Sequence, residues 1–175
     1  METKIALYGG SGGEAGQAVY TAPNGVVVTS SAPTYNSDGN YGIKNLFDGR
    51  LVHYHGQNND RFWLTSSEGK QILNFDFSDL AALERITKIQ VWPRSSDIDS
   101  SHYRILSSPD KIHWREEVFW VSNFSTDETP YLTLREHKVD ITNKYLRFEL
   151  AKNGENGVTL CEIDFWGIAK SYSVF

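Results

Sequence analysis

Residues 71–77 read QILNFDF, and hydrophobic and polar side chains alternate along the whole stretch. Leu73, Phe75 and Phe77 fall on one face, whereas Asn74 and Asp76 fall on the other. A period of two is typical of a β-strand that covers a hydrophobic core on one side only. The stretch therefore predicts one strand of a sheet that has a single buried face.

The same alternation returns in residues 144–150 (KYLRFEL) and 161–167 (CEIDFWG). Further short β-rich stretches occupy residues 26–31, 86–93, 102–108, 115–122 and 137–142. Clusters of Gly, Pro, Asn, Asp and Ser separate them, so that about eight strands predict an all-β fold, a two-sheet antiparallel β-sandwich. The one predicted helix covers residues 78–86 (SDLAALERI), with Ser78 as its N-cap.

The composition excludes several classes of function. The chain has 175 residues, with 17 Lys and Arg against 22 Asp and Glu, and its net charge of −5 disfavours a nucleic-acid partner. No hydrophobic stretch approaches the ~18 residues of a membrane span, so we expect no membrane insertion, and residues 1–10 lack the long apolar stretch that is typical of a secretion signal. The single cysteine, Cys161, cannot form an intrachain disulfide, and its alternation with Ile163 and Phe165 predicts a buried, unreactive thiol.

Residues 9–16 read GGSGGEAG, which is typical of a flexible linker. We therefore predict an N-terminal segment with this linker at residues 1–16, a β-sandwich at residues 17–168 and a tail at residues 169–175. Such an organisation suits a module of a larger protein, or a chain that forms a homo-oligomer. The sequence does not indicate the cellular compartment.

Eight motifs occur in a fixed order: VVVTSSAP, NLFDG, Trp63, QILNFDF, ITKIQVWPR, YRILSSPDKIHW, KYLRFEL and LCEIDFWG. Together they resemble the coagulation factor V/VIII type C, or discoidin, domain, and within that superfamily the family 32 carbohydrate-binding modules. The resemblance covers residues 26–167 and implies an eight-stranded antiparallel jelly-roll β-sandwich. We expect Trp63 and Trp114 in its core, and the family prefers glycine where Lys111 stands.

The resemblance also implies a structural calcium ion. The family holds it between an aspartate and a late glutamate, here Asp48 and Glu162, and loop carbonyls, here those of Asn45 and Cys161. Calcium prefers six to eight hard oxygen ligands, and this set is of that kind. The alternative is that Asp48 caps a turn and Glu162 pairs with Arg50.

The loop at residues 49–62 is several residues longer than the corresponding interval of the family. It carries His53, Tyr54, His55 and Asn58, whose imidazole, phenol and amide groups suit the hydroxyls and the apolar face of a sugar. His53 and His55 would also share a face in an extended segment, which is compatible with a transition-metal site. The remaining alternative is a polar loop that binds nothing.

Arg94 ends the predicted strand ITKIQVWPR. In galactose-binding relatives the matching arginine donates hydrogen bonds to sugar hydroxyls, and its guanidinium can reach two neighbouring hydroxyls at once. Trp120 and Phe124, beside a second loop, are candidates for the ring on which the sugar stacks. The alternative for Arg94 is a surface ion pair with Asp97 or Asp99.

Motifs for catalysis are missing from the sequence, which has neither a nucleophile elbow nor a phosphate-binding loop nor a His-Glu-x-x-His motif. We therefore expect a lectin-like carbohydrate-binding module rather than an enzyme, with a galactose-type or related glycan in a shallow site at the loop end. This function would place the protein outside the cell or at its surface. One alternative is a protein-interaction or structural module on the same sandwich. The other is a lipid-binding discoidin domain, which the acidic charge and the single cysteine disfavour.

Overall fold

The computed structural model describes residues 1–34, 41–50, 62–66, 69–93, 101–122, 134–152 and 157–171. The regular elements of this part of the chain are β-strands and one short 3-10 helix, Ile43–Phe47. None of the helical structure among the described residues is long and apolar enough to cross a membrane. The prediction of an all-β protein is thus confirmed.

The larger sheet has seven antiparallel strands. In spatial order they are β2 (Ser11–Gly12), β3 (Val19–Thr21), β4 (Val27–Ser30), β6 (Gln71–Asp76), β11 (Tyr145–Lys152), β8 (Ser101–Ser108) and β9 (Arg115–Ser122). Phe148 of β11 pairs with Leu73 of β6 on one side and with Ile105 of β8 on the other. The hydrophobic face predicted for residues 71–77 therefore continues across the middle of this sheet.

The smaller sheet has four antiparallel strands. In spatial order they are β1 (Glu2–Lys4), β13 (Glu162–Ala169), β7 (Leu83–Trp92) and β10 (Arg135–Ile141), and a separate pair joins β5 (Trp63–Leu64) to β12 (Thr159–Leu160). Phe75 of the larger sheet packs edge-on against Phe165 of the smaller one, with ring centroids 4.8 Å apart. The core lies between the two sheets, and the predicted antiparallel sandwich is confirmed.

The two tryptophans expected in the core have different positions. Trp63 is fully buried, as predicted. Trp114 instead lies half-buried on the outer face of the larger sheet, where the guanidinium of Arg147 is 4.0 Å from its ring centroid. Its indole N–H donates a hydrogen bond to the carbonyl of Lys111 in the turn that precedes β9. The turn thus holds the ring outside the core.

Residues 1–16 belong to the sandwich. β1 pairs with β13, and Ile5 and Leu7 are buried in the main core. The stretch expected to be a flexible linker forms β2 and packs closely against β3, where a Cβ on Gly10 would lie 2.0 Å from the carbonyl oxygen of Thr21. Its glycines therefore permit close backbone contact, and the predicted boundary at residue 17 falls inside the fold.

The helix predicted at residues 78–86 does not form. The hydroxyl of Ser78 donates to Asp76 Oδ1 at 2.5 Å, and two consecutive turns follow it. From Leu83 onward the chain is in β7 and pairs with β13. The backbone groups of Leu83 to Ile86 therefore bond across the sheet, which overrides the helical pattern of the sequence.

Candidate functional site

The strand ends that flank the predicted binding loops meet at one end of the sandwich. Ser101, the first residue of β8, pairs with Lys152, the last residue of β11. His102 pairs with Ser122 at the end of β9, and Trp92 at the end of β7 pairs with Glu162. The residues that follow or precede these positions are 94–100, 123–133 and 153–156. We call this end of the sandwich the loop end.

Most of the predicted sugar-binding residues lie outside the described part of the chain. These are Arg94, His53, Tyr54, His55, Asn58 and Phe124. Asp97 and Asp99, the alternative partners of Arg94, lie outside it as well. The contacts of these side chains therefore stay predictions, and the described framework supplies only the positions of the neighbouring strands.

Trp120 is the one predicted sugar-binding residue whose surroundings are described. It is half-buried on β9, two residues before the loop end. The guanidinium of Arg104 lies 5.4 Å from its ring centroid and the Nζ of Lys70 lies 5.9 Å away. Contacts between cations and an aromatic ring hold the ring in one orientation. A fixed, partly exposed indole of this kind suits the apolar face of a pyranose.

Both cations beside Trp120 bind one carboxylate, that of Glu149, which no motif of the sequence indicates. Arg104 Nη2 lies 2.7 Å from Glu149 Oε2, and Lys70 Nζ lies 2.8 Å from the same oxygen. Although burial raises the pKa of Glu149, the hydrogen bonds from Lys70 and Arg104 hold it below its usual value. The alternation of residues 144–150 already placed Glu149 on the outer face, but only the pairing of Glu149 with Arg104 brings the charges together.

The two carboxyl oxygens of Glu162 have different environments. Glu162 is 2% exposed; its Oε1 accepts a hydrogen bond from the backbone N–H of Gly49 at 2.9 Å. Its Oε2 is buried and has no hydrogen-bond partner among the described residues. Burial, together with the nearby carboxylates of Asp164 and Asp48, raises the pKa of Glu162 to about 9. An unsatisfied buried carboxyl oxygen is costly, so Oε2 is suited to a proton or a metal ion.

The other predicted calcium ligands belong to the segments that contact or adjoin Glu162, namely the 3-10 helix with its C-cap and the residue before β13. Asp48 ends the 3-10 helix, and its Oδ1 accepts a hydrogen bond from the backbone N–H of Arg50 at 2.9 Å. Asp48 thus caps a turn, as one alternative proposed, but no ion pair joins Glu162 to Arg50 within the described residues. Asn45 is buried, and its Nδ2 donates to the carbonyl of Phe62 at 3.2 Å. Cys161 is buried as predicted, with its Sγ 3.5 Å from the carbonyl oxygen of Arg50.

These residues fit a calcium ion better than a transition metal. No group of three or more His, Cys, Asp or Glu side chains in the described ranges is arranged to hold a metal. Two carboxylates with backbone carbonyls supply only hard oxygen ligands, which is the set that calcium prefers. An ion at Glu162 would therefore depend on carbonyl oxygens of the neighbouring turns, and its presence stays a prediction.

Solved structures of other proteins share this architecture, although no family model matches the chain and no curated protein matches it. The family 32 module of NanJ from Clostridium perfringens, in complex with galactose, is 12% identical and superposes with a TM-score of 0.59 over 95% of this chain and 99% of that one. The fold is that of the family 32 carbohydrate-binding modules. A second module from Clostridium perfringens, in complex with GalNAc-β-1,3-galactose, is 16% identical, with a TM-score of 0.57 over 80% of this chain and 94% of that one.

A third family 32 module, from AlyQ, was solved in complex with 4,5-unsaturated mannuronic acid. It is 22% identical and has a TM-score of 0.53 over 79% of this chain and 92% of that one. Trp120 and Glu162 lie near the same end of the sandwich, because Glu162 pairs with the end of β7, the chain continues from there to the start of β8, and the start of β8 pairs with the end of β9. The aromatic ring predicted to stack on the sugar and the predicted calcium ligands are therefore at the same end of the sandwich, on different sheets.

Proposed function

We propose that the protein is a non-catalytic carbohydrate-binding module that holds a galactose-type or related glycan in a shallow site at the loop end. The observation that carries the proposal is the shared architecture with the galactose-bound module of NanJ, over 95% of this chain. The half-buried ring of Trp120 beside that end supports it further.

The proposal gives each group at the loop end a role. Arg94 would donate hydrogen bonds to two sugar hydroxyls. Trp120 or Phe124 would stack on the sugar ring. His53 or His55 would add a further hydrogen bond. Few contacts at a shallow site give a dissociation constant on the order of 0.1–1 mM, or about −4 to −5.5 kcal/mol. Such weak binding becomes useful when the module is tethered or repeated.

The direct test is saturation-transfer NMR with galactose, N-acetylgalactosamine and fucose. We expect a signal from at least one sugar, and we expect Arg94→Ala to abolish it without lowering the melting temperature. Arg85→Ala is the matched control, because Arg85 is a partly exposed arginine of the smaller sheet that pairs with Asp140 at 3.1 Å. If no sugar binds at tens of millimolar, the protein-interaction alternative becomes the better explanation. Unchanged binding by Arg94→Ala would remove Arg94 from the site.

We further propose that a structural calcium ion stabilises the turn beside this site. Asp48 and Glu162 would contribute carboxylate oxygens, and Asn45 and Cys161 would contribute backbone carbonyls. The support is the buried Oε2 of Glu162, which lacks a hydrogen-bond partner among the described residues and so suits a cation. Bound calcium would supply positive charge to this carboxyl group and fix the turn after the 3-10 helix.

A further inference from the structure

A groove with a volume of about 240 Å³ lies on the outer face of the larger sheet, away from the loop end. Residues of β4, β6 and β11 form its floor, and the turn between β8 and β9 forms a wall. It surrounds the first residues of β11, where Tyr145 pairs with Ser108 at the far end of β8. Arg147, in its floor, is five residues from Lys152, so the groove lies about 16 Å along the strand from the loop end.

The groove contains an arginine whose charge has no carboxylate partner among the described residues. Arg147 Nε donates to Asn74 Oδ1 at 3.0 Å, and the guanidinium covers the ring of Trp114 at 4.0 Å. Its two terminal nitrogens make no hydrogen bond to any residue of the described ranges, and the side chain is half-buried. The hydrogen bond to Asn74 and the contact with the Trp114 ring therefore fix the orientation of the Arg147 guanidinium. Its two terminal nitrogens stay available to a ligand as far as the described residues are concerned.

Further polar groups of the groove are also available. The Nδ2 of Asn74 and the hydroxyl of Thr29 line the groove and have no hydrogen-bond partner among the residues that the structure describes. The half-buried rings of Trp114 and Tyr145 stand beside them. Planar amides, hydroxyls and aromatic rings are the groups that bind the hydroxyls and the apolar surface of a sugar.

Lys111 adds a second cation to the groove, and the backbone of Lys111 is strained. It has a φ of +66°, which is the left-handed conformation that glycine adopts freely and other L-residues adopt at a cost. Its side chain reaches over the ring of Tyr145, 4.7 Å from the centroid, and lies 3.5 Å from Asp76 Oδ2. A glycine would form the same turn without strain, so what the lysine adds is an ammonium group at the groove. Strain of this kind is a reason to look for a function.

The charge of the groove is opposite to that of the whole chain. Lys111 and Arg147 supply two positive charges against one negative charge from Asp76, while the chain as a whole carries −5. Asp76 is already occupied, because its Oδ1 accepts hydrogen bonds from both the N–H and the hydroxyl of Ser78. Within the described part of the chain, the guanidinium of Arg147 is thus the group of the groove that lacks an anion, and its planar pair of donors matches a carboxylate.

We propose that this groove is a second ligand site, which binds the carboxylate-bearing unit of an acidic saccharide. The carboxylate accepts hydrogen bonds from Arg147 and lies within reach of the ammonium of Lys111. The sugar ring packs beside Trp114 and Tyr145, and its hydroxyls meet Asn74 and Thr29. A volume below the roughly 300–1,000 Å³ of pockets for drug-sized ligands suits one sugar unit, while the outer face leaves room for the neighbouring units of a chain. The site is independent of the proposed loop-end site.

The test is an NMR titration of the full ¹⁵N-labelled chain with sodium galacturonate and, separately, with galactose, galactose 6-sulfate and sodium sulfate at matched ionic strength. Concentrations on the order of 10 mM saturate a site with a Kd of about 1 mM. We expect galacturonate to shift the amide signals of residues 108, 110–115 and 145–147. Galactose lacks the carboxylate and should leave these signals unchanged. Failure of the loop-end site would be seen separately, as the absence of galactose shifts near His102 and Trp120.

Two variants test the roles of the cations. Arg147→Ala should weaken galacturonate binding about tenfold or more, because a charge-assisted pair of hydrogen bonds is lost. Lys111→Gly should weaken it about threefold while leaving the melting temperature unchanged or higher, because the strain is relieved. Arg85→Ala removes an equal charge from the other sheet and should leave the affinity unchanged. The dispersion of the amide spectrum shows whether each variant is folded. If Arg147→Ala does not fold, Lys111→Gly still tests the proposal.

Several outcomes would overturn the proposal. Equal affinity for galacturonate and galactose would show that the carboxylate is not recognised. Equal shifts with galactose 6-sulfate or with sodium sulfate would show a general anion site rather than a carboxylate site. Galacturonate shifts confined to the loop end, or an affinity that neither variant changes, would show that the groove is not where the acidic sugar binds.

Discussion

At the scale of single residues, the buried carboxyl of Glu162 predicts how stability depends on pH when calcium is removed. Burial raises its pKa from 4.5 to about 9 in the folded protein, so the folded state keeps a proton that the unfolded state loses. Stability must then fall as the pH rises from about 4.5 towards 9. With a chelator present, we expect the melting temperature to fall as the pH rises through this range. We expect Glu162→Gln to make this dependence of the melting temperature on pH less steep. Thermal unfolding at a series of pH values measures both.

Glu84→Gln is the matched control, because Glu84 is an exposed glutamate of the smaller sheet. It should leave the slope as it is in the unsubstituted protein. If Glu162→Gln and the unsubstituted protein show the same pH dependence, Glu162 does not carry a proton in the folded, metal-free state. The variant should also be more stable than the unsubstituted protein at pH 8 in chelator, because its amide has no charge to bury.

The burial of Glu162 could not be predicted from the alternation of its neighbours. Cys161 and Ile163 were expected to face the core, which places Glu162 outward on an ideal strand. The structure buries it because the turn after the 3-10 helix covers the first residue of β13, and the N–H of Gly49 bonds to its side chain. Contacts between residues more than a hundred positions apart decide such burial, and a period-two pattern does not contain them.

At the scale of elements, β1 and the residues after it predict a large loss of stability from a small N-terminal change. Ile5 is buried in the main core, and β1 hydrogen-bonds to the edge of β13. Ile5→Ala should therefore lower the free energy of unfolding by about 2–5 kcal/mol, which a urea denaturation curve followed by circular dichroism measures. Tyr8→Ala, at a side chain that is 70% exposed, should change it by less than about 1 kcal/mol.

Equal denaturation midpoints for Ile5→Ala and Tyr8→Ala would mean that residues 1–16 fold apart from the sandwich. That was the expectation from the sequence, because a glycine-rich stretch is typical of a linker. The stretch instead makes close backbone contacts, because a Cβ on Gly10 would lie 2.0 Å from the carbonyl oxygen of Thr21 and a Cβ on Gly42 would lie 2.2 Å from that of Gly13. Composition alone does not distinguish a glycine that makes the chain flexible from a glycine that lets two backbone segments pack closely.

The strands were predictable, and the predicted helix was not correct, for one physical reason. Where hydrophobic side chains alternate, as in residues 71–77, the strand and the buried face follow from the same pattern. Residues 78–86 contain good helix formers, but Leu83 onward completes β7, whose partner residues in β13 and β10 lie more than 40 positions away along the chain. Trp114 shows the same limit, because its ring is held outside the core by Lys111 and Arg147. Local preference is overridden where tertiary pairing is available.

At the scale of the whole molecule, the order of strands separates two surfaces of different character. The loop end collects the ends of β7, β9 and β11 and the starts of β8 and β10, and it holds Trp120 and Glu162. The opposite end of the larger sheet carries the groove with Lys111 and Arg147. Because the same strands join both surfaces through one core, a ligand that stabilises either end raises the stability of the entire domain.

This coupling predicts the effect of calcium on the unfolding of the whole domain. An ion that binds only the folded state at a hundred times its Kd adds about 2.7 kcal/mol, which for a chain of this size raises the melting temperature by about 5–10 °C. We expect calorimetry in excess calcium and in chelator to differ by this amount, and Asp48→Asn to lose most of the difference. Asp140→Asn, at an exposed aspartate of β10, should keep it. Identical melting temperatures with and without calcium would leave Asp48 as the cap of a turn and Glu162 as a buried acid that holds its proton.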